Sequence, residues 1–253
     1  MEERDGGHDQ GRSETAEKTC DNIPMTEIVR LHGAEEEAAL ARCLKALEAG
    51  ALVVLPTDTV YGLAARADSG EAVAAVFAVK GRDTAKSLVV MVGSAEEAES
   101  LASPEDRASL RRLSPLWPGP LTVVVGASGV PWRSHLAPGT ETLGVRVPDH
   151  PFMLRLLSMS GPLAVTSANL SGKPAPRSFA EIDPSLLDRV ELALDAGRCG
   201  SGVPSTVVEL EGASFTLLRQ GEVGEEPIAA LLAVEGSARR DAVAGAEERT
   251  KKT

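Results

Sequence analysis

The chain has 253 residues, 43% of them hydrophobic and 3% aromatic, with a formal net charge of −11. Such a chain can build one large domain or two small ones, with Ala, Val and Leu filling the core. The acidic balance argues against a globally basic nucleic-acid binder, although a local cationic cleft depends only on where the charges sit.

Residues 1–24 are rich in Glu, Asp, Gly and Ser and read as a disordered tail. The pattern then predicts a helix over 34–49 closed by Gly50, and a buried strand over 51–55. Val73, Val76, Phe77 and Lys80 recur at helical spacing and predict a helix over 70–80. A strand over 88–92 follows, then helices over 95–101 and 104–113, the second with Pro104 in its first turn. Strands are predicted over 121–125 and 142–147, a helix over 152–159 and a short strand over 163–165. A helix over 178–187 takes Ser178 as its cap. Late strands over 190–194, 205–210 and 215–218 precede a final helix over 227–234, and the chain turns loose from about Gly236. The alternation implies an α/β domain with a twisted mixed sheet over 25–222, followed by a C-terminal helix and loose tail over 223–253.

Cys20, Cys43 and Cys199 form no CxxC pair, which suits a reduced, cytoplasmic protein. His8, His32, His135 and His150 show no metal-ligand spacing, so no protein-bound metal is expected. No apolar run reaches transmembrane length, so no membrane partner is expected, and the acidic start is unlike a leader peptide. Neither a paired cysteine base nor a serine triad is recognisable, so no covalent enzyme intermediate is expected.

Four blocks carry chemistry. The run Pro56-Thr57-Asp58-Thr59-Val60-Tyr61-Gly62-Leu63 ends the strand at 51–55, and Lys80-Gly81-Arg82 closes a helix. Thr166-Ser167-Ala168-Asn169-Leu170-Ser171-Gly172 and Pro204-Ser205-Thr206-Val207-Val208 come later. Each sets hydroxyl, amide or cationic groups beside an apolar run, as a polar pocket at strand ends requires. Arg82 can fork onto two phosphate oxygens, and Lys80 would share its face if the segment is extended. The competing reading is a solvated helix end with favourable C-terminal cations. Ser167 and Asn169 suit phosphate or ribose, or else a structural turn. Tyr61 packs either over the pocket or in the core.

In order and spacing these blocks resemble the YrdC-like family of threonylcarbamoyl-AMP synthases. The resemblance runs from about Ile28 to Glu222 and includes Trp117-Pro118-Gly119-Pro120-Leu121-Thr122, Arg146-Val147-Pro148, Asp195-Ala196-Gly197 and Leu218-Arg219-Gln220-Gly221. It implies a single domain with helices around an open cationic cavity. It implies ATP, L-threonine and bicarbonate or CO2 as substrates, and Mg2+ held mainly by ATP. The products would be threonylcarbamoyl-AMP and pyrophosphate, and a separate complex would pass the threonylcarbamoyl group to tRNA. Direct tRNA contact is left open.

The resemblance assigns Lys80 and Arg82 to catalysis. It assigns Arg82, Lys86, Thr142, Val165, Ser167, Ala175 and Arg219 to ATP. Thr59, Met91, Arg146 and Ser205 fall at threonine positions, with Asn169 and Tyr61 in structural or secondary roles. The chain departs from the family at Asp83, where Pro is common, at Ser87, where Pro or Gly is common, and at Lys86, where Asn is common. Ala175 replaces a frequent Ser, and Met91 replaces a His that contacts threonine. Two alternatives follow: an RNA-binding module, disfavoured by charge and by few aromatics, and a related nucleotide-binding enzyme with another acceptor.

Overall fold

A computed structural model describes residues 26–81, 86–127 and 129–233. In chain order its first elements are β1 (Glu27–Arg30), α1 (Glu36–Glu48), β2 (Val53–Leu55), β3 (Gly62–Arg66), α2 (Gly70–Lys80) and β4 (Val89–Met91). Next come α3 (Ala95–Leu101), α4 (Pro104–Leu113), β5 (Leu121–Gly126), α5 (Arg133–Leu136), β6 (Thr142–Arg146) and α6 (Pro151–Ser160). The series ends with β7 (Leu163–Ser167), α7 (Pro184–Leu187), β8 (Leu192–Asp195), β9 (Thr206–Glu211), β10 (Ser214–Arg219) and α8 (Glu225–Leu232).

The helix ends follow local chemistry. Ser69 caps α2 by accepting the Ala72 N–H at 3.3 Å, and Gly81 ends it at a φ of 56°. Ser94 accepts from Glu97 N–H, while the Glu97 carboxylate accepts from Gly93 N–H, a reciprocal cap on α3. The helix expected over 178–187 is instead two short pieces, a 3₁₀ turn at Phe179–Glu181 and then α7. Pro184 explains the break, since it disfavours helical backbone at Asp183, which is extended and caps the new helix through Ser185 N–H. The last helix starts at Glu225, two residues before its predicted position.

Among the described residues the strands form one mixed sheet in the order β1-β8-β2-β3-β7-β4-β6-β5-β9-β10. β1, β3 and α5 have no counterpart in the sequence prediction. The Gly62-Leu63-Ala64-Ala65-Arg66 stretch of β3 has weak strand propensity, and it is held by antiparallel partners on both sides, β2 and β7.

The two sheet faces are covered unequally. One carries α2, α4 and α8 over a core that includes Leu63, Val90, Val123, Val145 and Val208. The other carries α1 and α6 over Val53, Leu55, Ala64, Leu163 and Leu194. Beyond β4, in the direction of β6, β5 and β9, that second face opens into a cavity.

Candidate functional site

The cavity has a volume of about 440 Å³ and its floor reads off the strands with period two. Thr122 and Val124 come from β5, and Thr142, Gly144 and Arg146 from β6. Ser205, Val207 and Glu209 come from β9 and its approach. The intervening Val123, Leu143, Val145, Val208 and Leu210 are buried in the opposite core. Val89 and Met91 continue the floor on β4, and Val165 and Ser167 on β7.

The turn between β2 and β3 forms one wall. Thr57 organises it: its hydroxyl donates to Val60 C=O at 2.7 Å and accepts from the N–H groups of Thr59 and Val60. Thr59 Oγ1 lies 3.0 Å from Thr57 Oγ1 and is buried. A second loop locks the turn from behind, since Ser201 N–H donates to Asp58 C=O and Gly202 N–H to Thr59 C=O. Gly200 permits that approach: its φ is 44°, and a Cβ there would sit 2.0 Å from Asp58 O.

Arg146 is 3% exposed and its guanidinium is fixed on three sides. Nε donates to Gly119 C=O at 3.1 Å, Nη1 to Thr59 Oγ1 at 3.1 Å and Nη2 to Asp58 Oδ1 at 2.6 Å. Each terminal nitrogen of a guanidinium carries two N–H donors, so among the described residues one donor on each is uncommitted.

Across the cavity, Arg219 donates from Nε and Nη2 to Ser205 C=O and from Nη2 to Ser205 Oγ. Ser205 Oγ is also 2.8 Å from Thr122 Oγ1. Desolvation, and then the charge of Arg146, lower the pKa of Arg219, so the two cations sense each other. Thr59, Arg146, Ser205 and Arg219 therefore meet around one space, although they come from four separate stretches of sequence.

Met91, Thr142, Val165, Ser167 and Ala175 line the same cavity. Tyr61 lines it as well, but its hydroxyl is engaged with Gly197 C=O and Ala196 N–H, and its ring meets Phe179 edge-on. Desolvation pushes the Tyr61 hydroxyl pKa up to about 12. Lys80 does not sit on an extended segment. It is the last residue of α2, 2% exposed, and its Nζ donates to the carbonyls of Ser167 and Asn169. Asn169 also serves this loop, accepting from Ser167 Oγ and donating to Leu170 and Lys173 carbonyls. Lys80 and Asn169 thus hold Ser167 in place from outside the lining. Lys86 is exposed and is likewise not a lining residue. Arg82 lies outside the described residues.

Sequence reasoning assigned no role to Asp58, Thr57, Thr122, Gly144 or Glu209. Glu209 had a readable signal, as a charge in phase with Ser205 and Val207 on a strand whose other phase is apolar. Among the described residues the charged lining residues are Arg146, Arg219 and Glu209. Burial pushes the Cys43 thiol up to about 12 and raises Cys199, which disfavours thiolate chemistry at either.

The model of the Sua5/YciO/YrdC family, described as telomere recombination, matches residues 45–221. The chain belongs to this family. A Mycobacterium tuberculosis relative is 39% identical over 215 residues, which cover 84% of this chain and 98% of that protein. The threonylcarbamoyl-AMP synthase of Bacillus subtilis is 34% identical over 194 residues, covering 76% of this chain and 56% of the relative. Among solved structures, Pyrococcus abyssi Sua5 complexed with L-threonine superposes with a TM-score of 0.73 at 36% identity, covering 82% of this chain and 61% of the other. The chain thus spans little more than half of the Bacillus and Pyrococcus members of the family. Every block quoted for the resemblance, from the Pro56–Leu63 run to Leu218-Arg219-Gln220-Gly221, falls within the matched span.

Proposed function

We propose that this chain makes threonylcarbamoyl-AMP and pyrophosphate from L-threonine, bicarbonate or CO2, and ATP. The observation that carries the reading is the paired arrangement of Arg146 with Thr59 and of Arg219 with Ser205 around one cavity. A buried guanidinium with two donors to spare suits an amino-acid carboxylate. The neighbouring hydroxyls of Thr59 and Ser205 suit the threonine side chain. Relatives bearing the synthase name, and a relative solved with L-threonine, support the choice of substrates.

The proposed chemistry makes use of that placement. The threonine amine adds to CO2 and loses a proton, giving a carbamate. A carbamate oxygen attacks the ATP α-phosphorus, the P–O bond to the β-phosphate breaks, and pyrophosphate leaves. The residues align the reactants and offset charge rather than forming covalent intermediates. Arg219 and Ser167 face the nucleotide, with Thr142, Val165 and Ala175 forming its walls. Arg82 and Lys86 supply charge to the leaving phosphates, and Lys80 supports Ser167. Walls of Val89, Val124 and Met91 limit water at the carbamate.

Magnesium enters with ATP and, when bound, spreads the charge of the triphosphate. Among the described residues the lining offers one carboxylate, Glu209, so the ion would be held mainly by phosphate oxygens and water. The product is a mixed anhydride that an acyl transfer must consume, which links this chain to a complex that modifies tRNA in the cytoplasm.

The test is incubation with ATP, L-threonine and bicarbonate, with mass detection of the adenylate and a pyrophosphate assay. Threonine-dependent formation of both products is expected. Pyrophosphate release equal or greater with another amino acid would replace threonine as the acceptor, and Met91 makes that panel worth running. RNA affinity with no pyrophosphate release would overturn the reading.

A further inference from the structure

The pair between Asp58 and Arg146 has an unusual form for a buried salt bridge. Asp58 has a side-chain relative exposure of 10% and Arg146 of 4%, yet the contact is single-pronged. Oδ1 takes Nη2 at 2.6 Å, while Oδ2 is buried and has no hydrogen-bond partner among the described residues. A purely structural pair would gain by closing both prongs, because an unsatisfied buried carboxylate oxygen is costly. Closing both would also spend one of the two donors that Arg146 has left.

The backbone around Asp58 explains why the carboxylate stays where it is. The Thr57 hydroxyl holds the turn from within, Ser201 N–H binds the Asp58 carbonyl, and Gly200 packs directly against it. The carboxylate is therefore presented at a fixed point, and Asp58 itself does not line the cavity, whereas Arg146 does. Its charge also offsets one of the two guanidiniums that sense each other across the site.

We propose that Asp58 is a positioning residue that aims the uncommitted edge of the Arg146 guanidinium at the substrate carboxylate. Asp58 does not touch substrate; it holds one Nη2 donor so that one donor on each terminal nitrogen faces the cavity. The inference rests on the reading of Arg146 as the carboxylate site.

The experiment compares Asp58→Asn, Asp58→Glu and Arg146→Gln in the full chain. Steady-state pyrophosphate release is measured with L-threonine and, separately, with L-threoninamide, which lacks the carboxylate. In Asp58→Asn the threonine KM should rise about tenfold, as expected for a lost charge-assisted contact. The ATP KM should stay within about twofold, and the preference for threonine over threoninamide should shrink about tenfold. Asp58→Glu keeps the charge and should fall between wild type and Asp58→Asn, which also serves if the Asn variant folds poorly. Unchanged threonine preference in both folded Asp58 variants, with Arg146→Gln losing it, overturns the positioning role and leaves the carboxylate site standing. Unchanged threonine preference in Arg146→Gln overturns the site and the positioning role together. An equal rise in both KM values for the Asp58 variants marks a general structural role and also overturns the proposal.

Discussion

One face of the sheet has two halves, one covered by helices and one open. Under α1 and α6, strands β2, β3, β7 and β8 present Val53, Leu55, Ala64, Leu163 and Leu194, all buried and aliphatic. Past β4 the same face presents Thr122, Thr142, Arg146 and Glu209. Met91 and Val165 stand on the border, packed into the covered core and lining the cavity at once. The covered half stabilises by burying apolar area, while the open half keeps polar groups that only a ligand will fully engage. The candidate site of this fold thus lies where helical cover stops.

Substitutions in the two halves should separate stability from activity. The largest effect is expected in the covered half, where Leu156 on α6 is fully buried. Leu156→Ala should cost about 2–5 kcal/mol of stability in a denaturant titration, with kcat/KM of the folded fraction little changed. In the open half, a Cβ on Gly144 would find only ordinary contacts at 3.5 Å or more, with Thr122, Val89 and Val124 on the cavity floor. Gly144→Val should therefore keep the melting temperature but raise the ATP KM about tenfold or more by filling the floor. A large stability loss with normal ATP affinity would contradict the open character of this half.

Ser205→Ala is milder. It removes the Oγ that bonds Thr122 and Arg219, while Arg219 retains the Ser205 carbonyl. The threonine KM should rise roughly three- to tenfold, with a smaller change for ATP. Equal loss for both substrates would detach Ser205 from the amino-acid side.

The smallest effect concerns His150, at the start of α6, where burial lowers its pKa below the ordinary 6.5. The unfolded chain then takes up a proton near pH 6.5 that the folded protein resists, so stability is present above that value. It is lost as pH falls through the lower folded pKa. His150→Phe should flatten this part of the stability profile between neutral pH and mild acid.

Much of the frame was legible locally. Gly70–Lys80 was readable from its apolar period and Pro104–Leu113 from its early proline. β3 was not, because Gly62, Ala64 and Ala65 carry little strand preference and depend on the strands beside them. Of the predicted site residues, Thr59, Arg146, Ser205 and Arg219 meet in the cavity, as do Ser167 and Thr142. Lys80 illustrates the limit: its type suggested a phosphate contact, and only packing turned its ammonium onto two loop carbonyls.

The amino-acid sequence by itself determined the family, the α/β class and most residue types of the site, since period, capping and motif order are local properties of the chain. Tertiary structure alone decided that Asp58 holds Arg146, that Arg219 leans on Ser205, and that Glu209 and Gly144 share their floor. Those relations depend on strand order and register, which bring side chains 88 and 14 positions apart into contact. No local pattern encodes that distance; it is set by which strands pair.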